Sequence, residues 1–380
     1  MSSVTLERPA EAPSSRPPSP RSLNRRRPRG FTSADIMVLL GSALSAISLV
    51  WIVFYQLTLL AGAFGFILCT LGCFLVIYYL ANRSLFGRMA AINRVAGTLV
   101  TSSAVVVVFA LALVVVFLVG KGYHLISLHF LTHDQGDVTQ TAPASAGGIS
   151  HAIVGTLEEV GIAVLIGAPA GVITAIFINE VGGRFTSLVR TVVTAMSALP
   201  TIVAGLFIYV VYVTTTHHFS GFAGALALSI MLLPNVTRTT EEVLKVVHGS
   251  LREASMALGA PQWRTVWSVV LPTARTGIVT AVLLGIARVV GETAPLLVTI
   301  FGTTTMEANP FHAQEALSQF VWQYSRLSES ADVERAFSAG LVLVGLVLIL
   351  FVIARLIASI KPGFTHRVVD RIKRSPLEAP

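Results

Sequence analysis

Arg288 and Glu292 stand four residues apart in the apolar stretch "GIVTAVLLGIARVVGETAPLL", with Thr293 and Pro295 directly after them. That spacing puts both charges on one helix face, where they can pair. An isolated charge at the bilayer centre costs roughly 2.5–3.5 kcal/mol on insertion scales, so ionisable groups inside an apolar span mark a functional site by default. The chemistry open to this pair is anion binding, because a guanidinium fork donates two parallel hydrogen bonds to an oxyanion. The neighbouring carboxylate would repel an anion unless it stayed paired with Arg288 or protonated. A salt bridge that pins the span to its neighbours fits the same residues. Pro295 breaks a helical hydrogen-bond ladder and frees a carbonyl, as a hinge or as a plain kink. Pro200 in "SALPTIVAGLF" and Pro234 in "MLLPNVTRTTEE" fall in two further apolar runs. Kinks there would line a cavity, with Ser197 and Thr201 as polar lining; ordinary packing of small residues between helices is the alternative.

A second constellation is "SLREASMALGAPQWRTVWSVVLP", Ser250 to Pro272, a structured polar segment between two apolar runs. It reads as two short helices and a break. The first runs from about Glu241 through Leu258. Gly259 stops it, since glycine takes the left-handed conformation cheaply, and Pro261 suits the first turn of the next helix. Trp263 and Trp267 lie four apart on one face, and Pro272 marks a sharp entry to the following span. A fixed corner of this kind suits a docking surface. An interfacial helix anchored by the two tryptophans in lipid headgroups fits the residues equally well. Glu158 and Glu159, in "GTLEEVGIAV", read best as interfacial residues before a span that starts late; the alternative is that both lie in the outer part of the span, one facing an aqueous vestibule and the other protonated or paired. His217 and His218 read as solvated residues of an outer loop.

The elements that position these residues are transmembrane helices. The chain has 380 residues, 54% of them hydrophobic and only 12% charged, against about a quarter charged in soluble domains. A charge-free run from Ile36 to Asn82 is too long for one span of about 20 residues and suits two. Eight spans are expected, near 36–56, 60–81, 95–120, 151–178, 187–213, 221–239, 273–300 and 336–359. "NRSLFGRMAAINR" reads as a basic loop between the second and third. The alternating pattern of a β-barrel is absent, so an all-α polytopic bundle is expected. Residues 1–33, with "RPPSPRSLNRRRPRG", read as a disordered basic tail, 34–92 as a hairpin and basic loop, 93–360 as the main helical domain with the 241–272 loop inside it, and 361–380 as a second basic tail. Lys and Arg gather in alternate loops, which puts both termini and the Ser250–Pro272 segment in the cytoplasm. The net charge of +8 follows from that bias and does not call for nucleic acid. Cys69 and Cys73, one turn apart, read as packing residues. No phosphate-binding glycine loop ending in Lys-Ser or Lys-Thr, no nucleophile with its base, and no metal-ligand set is found. No catalytic residue, metal or cofactor is expected.

The polar segment also carries a resemblance. Glu253-Ala254-Ser255, Gly259, Val269 and Leu271-Pro272 resemble the cytoplasmic signature of membrane subunits of bacterial ATP-binding-cassette importers: Glu-Ala-Ala, three residues, Gly, nine residues, Ile, one residue, Leu-Pro. Ser255 for Ala and Val269 for Ile are mild departures. "GGISHAIVGTL", "PAGVITAIFINE", "SALPTIVAGLF" and "GIVTAVLLGIARVVGETAPLL" are similar to the second permease subunit of phosphate importers, the PstA family. The likeness holds well over about 147–300 and loosely over the last span. It implies a type I importer bundle of six helices, to which the N-terminal hairpin is an addition. It implies a heterodimer with a second permease, two ATP-binding subunits clamped on the corner (Glu253, Ala254, Ser255, Gly259, Leu271, Pro272), and an extracytoplasmic phosphate-binding protein, all at the plasma membrane with its lipid. Inorganic phosphate is the implied substrate, with Arg288, Glu292, Thr293, Pro295, Pro200 and Thr201 along its path. The rival expectations are the same machine for molybdate or phosphonate, and an ion-coupled secondary transporter, which would need no ATPase dock.

Overall fold

The computed structural model describes residues 33–57, 62–139 and 142–359. The tip of the N-terminal hairpin and the basic tails, Ser33 apart, lie outside the described residues. Among those described there is no strand, and β pairing is limited to one isolated bridge between Phe301 and Gln314. Seven helices are long and apolar enough to cross a bilayer, or eight if one bent pair counts as a span. The all-α expectation is met.

The chain divides into two compact units, Met1–Leu111 and Ala112–Pro380. In the first, α1 (Ser33–Trp51) runs on through a π turn, Ile52–Leu57, and packs against α2 (Ala63–Phe86). Phe54 meets Phe66 edge-on at 5.8 Å. Only Gly87 separates α2 from α3 (Arg88–Gly122). The stretch expected as a basic loop is therefore helical except at Gly87, whose φ of +84° costs glycine little. Long-range partners explain why the charges do not make a loop. Arg94 pairs with Asp35 at 2.6 Å, donates to Asn82 Oδ1 at 2.8 Å and lies 3.7 Å over the Phe86 ring.

In the second unit α4 (Leu128–Thr132) leads by a polar loop to α5 (Ser150–Ile176), which ends in a π turn, Phe177–Val181. The sharpest departure comes next. α6 (Thr186–Ala198) meets α7 (Thr201–Ile208), which continues through Tyr209–Val213 into α8 (Thr214–Thr216), at a bend of 102°. The span expected over 187–213 is thus broken at Pro200 and not merely kinked. Proline disfavours the helical conformation in the residue before it, and Leu199 is extended, with ψ 134°. Then follow α9 (Gly221–Val246), α10 (Gly249–Ala257), α11 (Gln262–Thr265), α12 (Leu271–Val290), α13 (Leu317–Tyr324) and α14 (Ser330–Ser359).

Small residues let α5 and α9 pack backbone to backbone. A Cβ on Gly171 would lie 2.9 Å from the Leu233 carbonyl, and Thr237 Oγ1 donates to the Gly171 carbonyl at 3.1 Å. Leu228, Leu232 and Val236 of α9 form the buried core with Val160 and Ala163 of α5 and Val289 and Val290 of α12. These three helices fix the ends on which the polar residues sit.

Candidate functional site: a helical corner and a charged helix end

The corner is built as a stop and a restart. α9 continues to Val246 and α10 covers only Gly249–Ala257, so the helix expected from 241 to 258 is two helices. The chain is extended at Val247, ψ 121°. Gly259 is the stop: its φ is +82°, and the amides of Gly259 and Ala260 donate to the carbonyls of Met256 and Ser255. No atom lies within 4 Å of a Cβ placed there, so the left-handed backbone, and not crowding, demands glycine. Ser255 Oγ and Thr265 Oγ1 hydrogen-bond across the corner at 2.9 Å.

After the corner one helix runs without a break from Gln262 to Val290. Pro272 therefore lies in that helix and makes no sharp bend. The wide π turn at Val266–Val270 sits directly before it, a common accommodation where the hydrogen-bond ladder is interrupted. Glu253, Ala254, Gly259, Trp263 and Trp267 are exposed, and Leu258 is 90% exposed. The corner presents an unpartnered outer face.

Its inner face is held by a residue that sequence reasoning passed over. Glu180, in the π turn that ends α5, accepts from Arg252 Nε at 3.0 Å and Nη2 at 2.6 Å. Arg252 also donates to the carbonyls of Val247 at 2.7 Å and Leu244 at 3.1 Å. The Glu180 backbone carbonyl accepts from Gln262 Nε2. One residue of α5 thus grips both arms of the corner. The available signal was that Glu180 closes a charge-free run from Val160 to Asn179. Close by, Glu241 joins α6 to α9, pairing with Arg190 at 2.9 Å and Lys245 at 3.1 Å.

The second constellation lies at the other end of α12. This helix stops at Val290, well short of the span end expected near 300, and Gly291 caps it. Arg288 is in its last turn and Glu292 just beyond it. The two are paired loosely, Nε to Oε1 3.9 Å, and Arg288 Nη1 approaches Asn235 Oδ1 of α9 at 3.4 Å. The Arg288 side chain is 60% exposed and Glu292 19%. Pro295 breaks no α-helix, because the helix has already ended; it precedes a short 3₁₀ turn, Leu296–Val298. Tertiary bonds hold this irregular stretch. Ser318 Oγ of α13 donates to the Glu292 carbonyl at 3.0 Å, and Thr293 Oγ1 donates to the Ser318 carbonyl at 3.4 Å. Pro295 lies against Gly205 of α7, where a Cβ would come within 2.6 Å of Pro295 Cα. Arg288, Glu292, Thr293 and Pro295 are brought together, and Pro200 and Thr201 open the helix on which Pro295 rests.

Glu158 and Glu159 are not interfacial residues ahead of a late span. α5 begins at Ser150, and Glu159 is 1% exposed. Glu158 accepts from Gln314 Nε2 at 2.5 Å. The 299–316 segment that supplies Gln314 is fastened to the helix ends around it. The amides of Ser220, Gly221 and Phe222 donate to the carbonyls of Thr299, His312 and Pro310. Asp134 accepts from the amides of Met306 at 2.8 Å and Gly136 at 3.2 Å, and these bonds hold its carboxyl below the usual range. His217 is exposed in the left-handed conformation, φ 59°.

Long apolar helices, one broken and one stopped short to expose a charged end, define a multi-pass membrane protein. The family described as "Binding-protein-dependent transport system inner membrane component" matches residues 167–360, and the chain belongs to that family. It is 36% identical over 257 residues to the phosphate transport system permease protein PstA of Haemophilus influenzae, across 67% of this chain and 89% of that protein. It is 37% identical to the phosphate transport system permease protein PstA 1 of Mycobacterium tuberculosis (strain CDC 1551 / Oshkosh), across 66% and 84% of the two chains. It is 36% identical to the PstA of Xylella fastidiosa (strain Temecula1 / ATCC 700964), across 72% and 95%.

Proposed function

We propose that this chain is a permease subunit of an ATP-driven importer of inorganic phosphate in the bacterial plasma membrane. The observation that carries the reading is the corner at Gly249–Thr265. Glu253, Ala254 and Ser255 of the importer signature sit on a helix stopped by a left-handed Gly259 and gripped from inside by Glu180, with the outer face exposed among the described residues. The names of relatives at 36–37% identity supply the substrate. In this reading two ATP-binding subunits clamp the corner, and the chain itself is not catalytic. A second permease completes the pathway, and a binding protein delivers phosphate to the outer face. The positive-inside bias puts both termini in the cytoplasm. The 34–92 hairpin is an addition to a six-helix bundle over 93–360.

Arg288 is the anion-stabilising group of the path. Its guanidinium is exposed and its two partners are distant, so its donors are available to an oxyanion. Glu292 and Asn235 hold it by long contacts. Thr293, Pro295, Pro200 and Thr201 shape the wall beside it.

Labelled phosphate uptake at low external phosphate, in cells with and without this gene, tests the reading. Molybdate, phosphonate and sulfate serve as competitors, and ATP and the proton gradient are collapsed separately. Gene-dependent uptake that ignores the competitors and fails with ATP is expected. Uptake that survives ATP loss would make the chain a secondary transporter, and block by another anion would change the substrate.

A further inference from the structure

The outer end of α5 holds acceptors that no described residue satisfies. Glu159 is 1% exposed and Glu315 4%, and three of their four carboxyl oxygens have no hydrogen-bond partner. The fourth, Glu315 Oε2, is the one left to the Thr303 amide. The side-chain carbonyls of Gln314 and Gln319, each 1% exposed, are likewise unpartnered. Five acceptor oxygens of two buried carboxyls and two buried amides are thus left without a donor. Unmet buried acceptors are costly, and an uncompensated buried charge more so.

These groups share one place. Gly155, one turn before Glu159 on the same face of α5, has its nearest neighbour at the backbone of Glu315. A Cβ on Gly302 would lie 2.5 Å from Glu315 Oε2 and 3.0 Å from Gln319 Nε2. A Cβ on Gly224 would lie 3.5 Å from Glu159 Cδ. Glu159 feels the charges of Glu315 and Glu158. The other titratable groups facing Glu315 are His151 of α5 and Tyr324 of α13, which line a cavity of about 340 Å³ together with it. Among the described residues no Lys or Arg forms an ion pair with Glu158, Glu159 or Glu315. No cluster of His, Cys, Asp or Glu has a metal-holding arrangement among them either.

We propose that Glu315 is a buried proton-binding site whose protonated carboxyl latches the 299–316 segment onto α5 beside Glu159. The proton supplies a donor among these unmet acceptors and removes a buried charge that no cation balances. Burial pushes the Glu315 carboxyl up to about 8, so the site is loaded at neutral pH. Opening the segment releases that carboxyl to water, where its ordinary value is 4.5. The latch is therefore strongest below that value, weakens as the pH rises toward 8, and loses nothing further above it. The ratio of open to closed segment rises about tenfold per pH unit in that window, or about fiftyfold from pH 6 to pH 8.

Hydrogen exchange over 299–317 in the assembled membrane complex in nanodiscs, corrected for the intrinsic pH dependence of exchange, reads the latch. Protection should fall about fiftyfold between pH 6 and pH 8 and then level off. In Glu315→Gln the pH step should vanish while the segment stays protected at pH 8. An infrared titration of the wild-type complex should show the carbonyl stretch of a protonated carboxylic acid lost near pH 8, and this holds the idea to account if the variant does not assemble. Wild-type protection that does not change with pH, a step that survives in Glu315→Gln, or no protonated carboxyl at neutral pH would each overturn it.

Discussion

Replacing Arg252 by alanine removes four hydrogen bonds from the inner face of the corner, two of them to Glu180, whose side chain is only 6% exposed. Asn179 Nδ2, at 2.7 Å, would be the partner left to the Glu180 carboxylate. Removing one member of a largely buried pair typically costs 3–5 kcal/mol, because the other charge is left uncompensated. Arg252 is itself 22% exposed, so the low end, about 3 kcal/mol, is the better value. At about 1.4 kcal/mol per factor of ten, that is a loss of about 150-fold in the population of seated corner. The assay is binding of the ATP-binding subunits to the permease pair in nanodiscs, alongside the ratio of phosphate moved to ATP hydrolysed. Arg252→Ala should weaken binding by up to about 150-fold and lower the transport ratio. Arg252→Ala with Glu180→Gln should recover most of the loss, because the stranded charge is gone. If Arg252→Ala binds like the wild type, or if the two substitutions simply add, Glu180 does not position the corner.

Three further outcomes follow from the geometry. Gly259→Ala has room for its methyl group but keeps a left-handed φ, at about 1–2 kcal/mol, so ATP hydrolysis should become partly uncoupled from uptake; Gly259→Pro, which cannot take that φ, should uncouple it fully while membrane insertion, read by fractionation, is unchanged. Arg288→Ala should abolish phosphate uptake and leave the complex assembled by size-exclusion chromatography in detergent, whereas loss of assembly would make Arg288 a structural salt-bridge residue; Arg288→Lys, which lacks the bidentate fork, should restore uptake only in part. Gly205→Ala places a methyl 2.6 Å from Pro295 Cα, an overpacking worth about 1–3 kcal/mol, and should lower the thermal midpoint of the purified complex, with an unchanged midpoint arguing against that contact.

What was legible in the sequence was whatever a helix settles locally. Charge-free length gave the spans, and a glycine at the end of a polar helix gave the corner. Four-residue spacing put Arg288 beside Glu292. The misses share a different cause. The basic stretch Asn82–Arg94 became helix because Arg94 finds Asp35 far back along the chain. α12 ended early because α13, some 25 residues later, takes up the Glu292 carbonyl through Ser318. The burial of Glu159 was not legible because its neighbour Gly224 belongs to another helix. None of these partners lies within reach of a local pattern.

Pro200 and Pro272 show the same point from the other side. Both follow a leucine in an apolar setting, and both remove an amide from the ladder. At Pro200 the preceding residue turns extended and the chain bends by 102°. At Pro272 the helix passes through a π turn and continues. The difference lies in what surrounds them. The approach to Pro272 packs Val270 and Ala274 into a core with Leu244 and Ala175, which holds the helix in line through the interruption. Pro200 is exposed, with Leu199 and Ala198 exposed beside it, so among the described residues little packing resists the break. A proline sets where a helix can yield, and the burial of its neighbours decides whether it does.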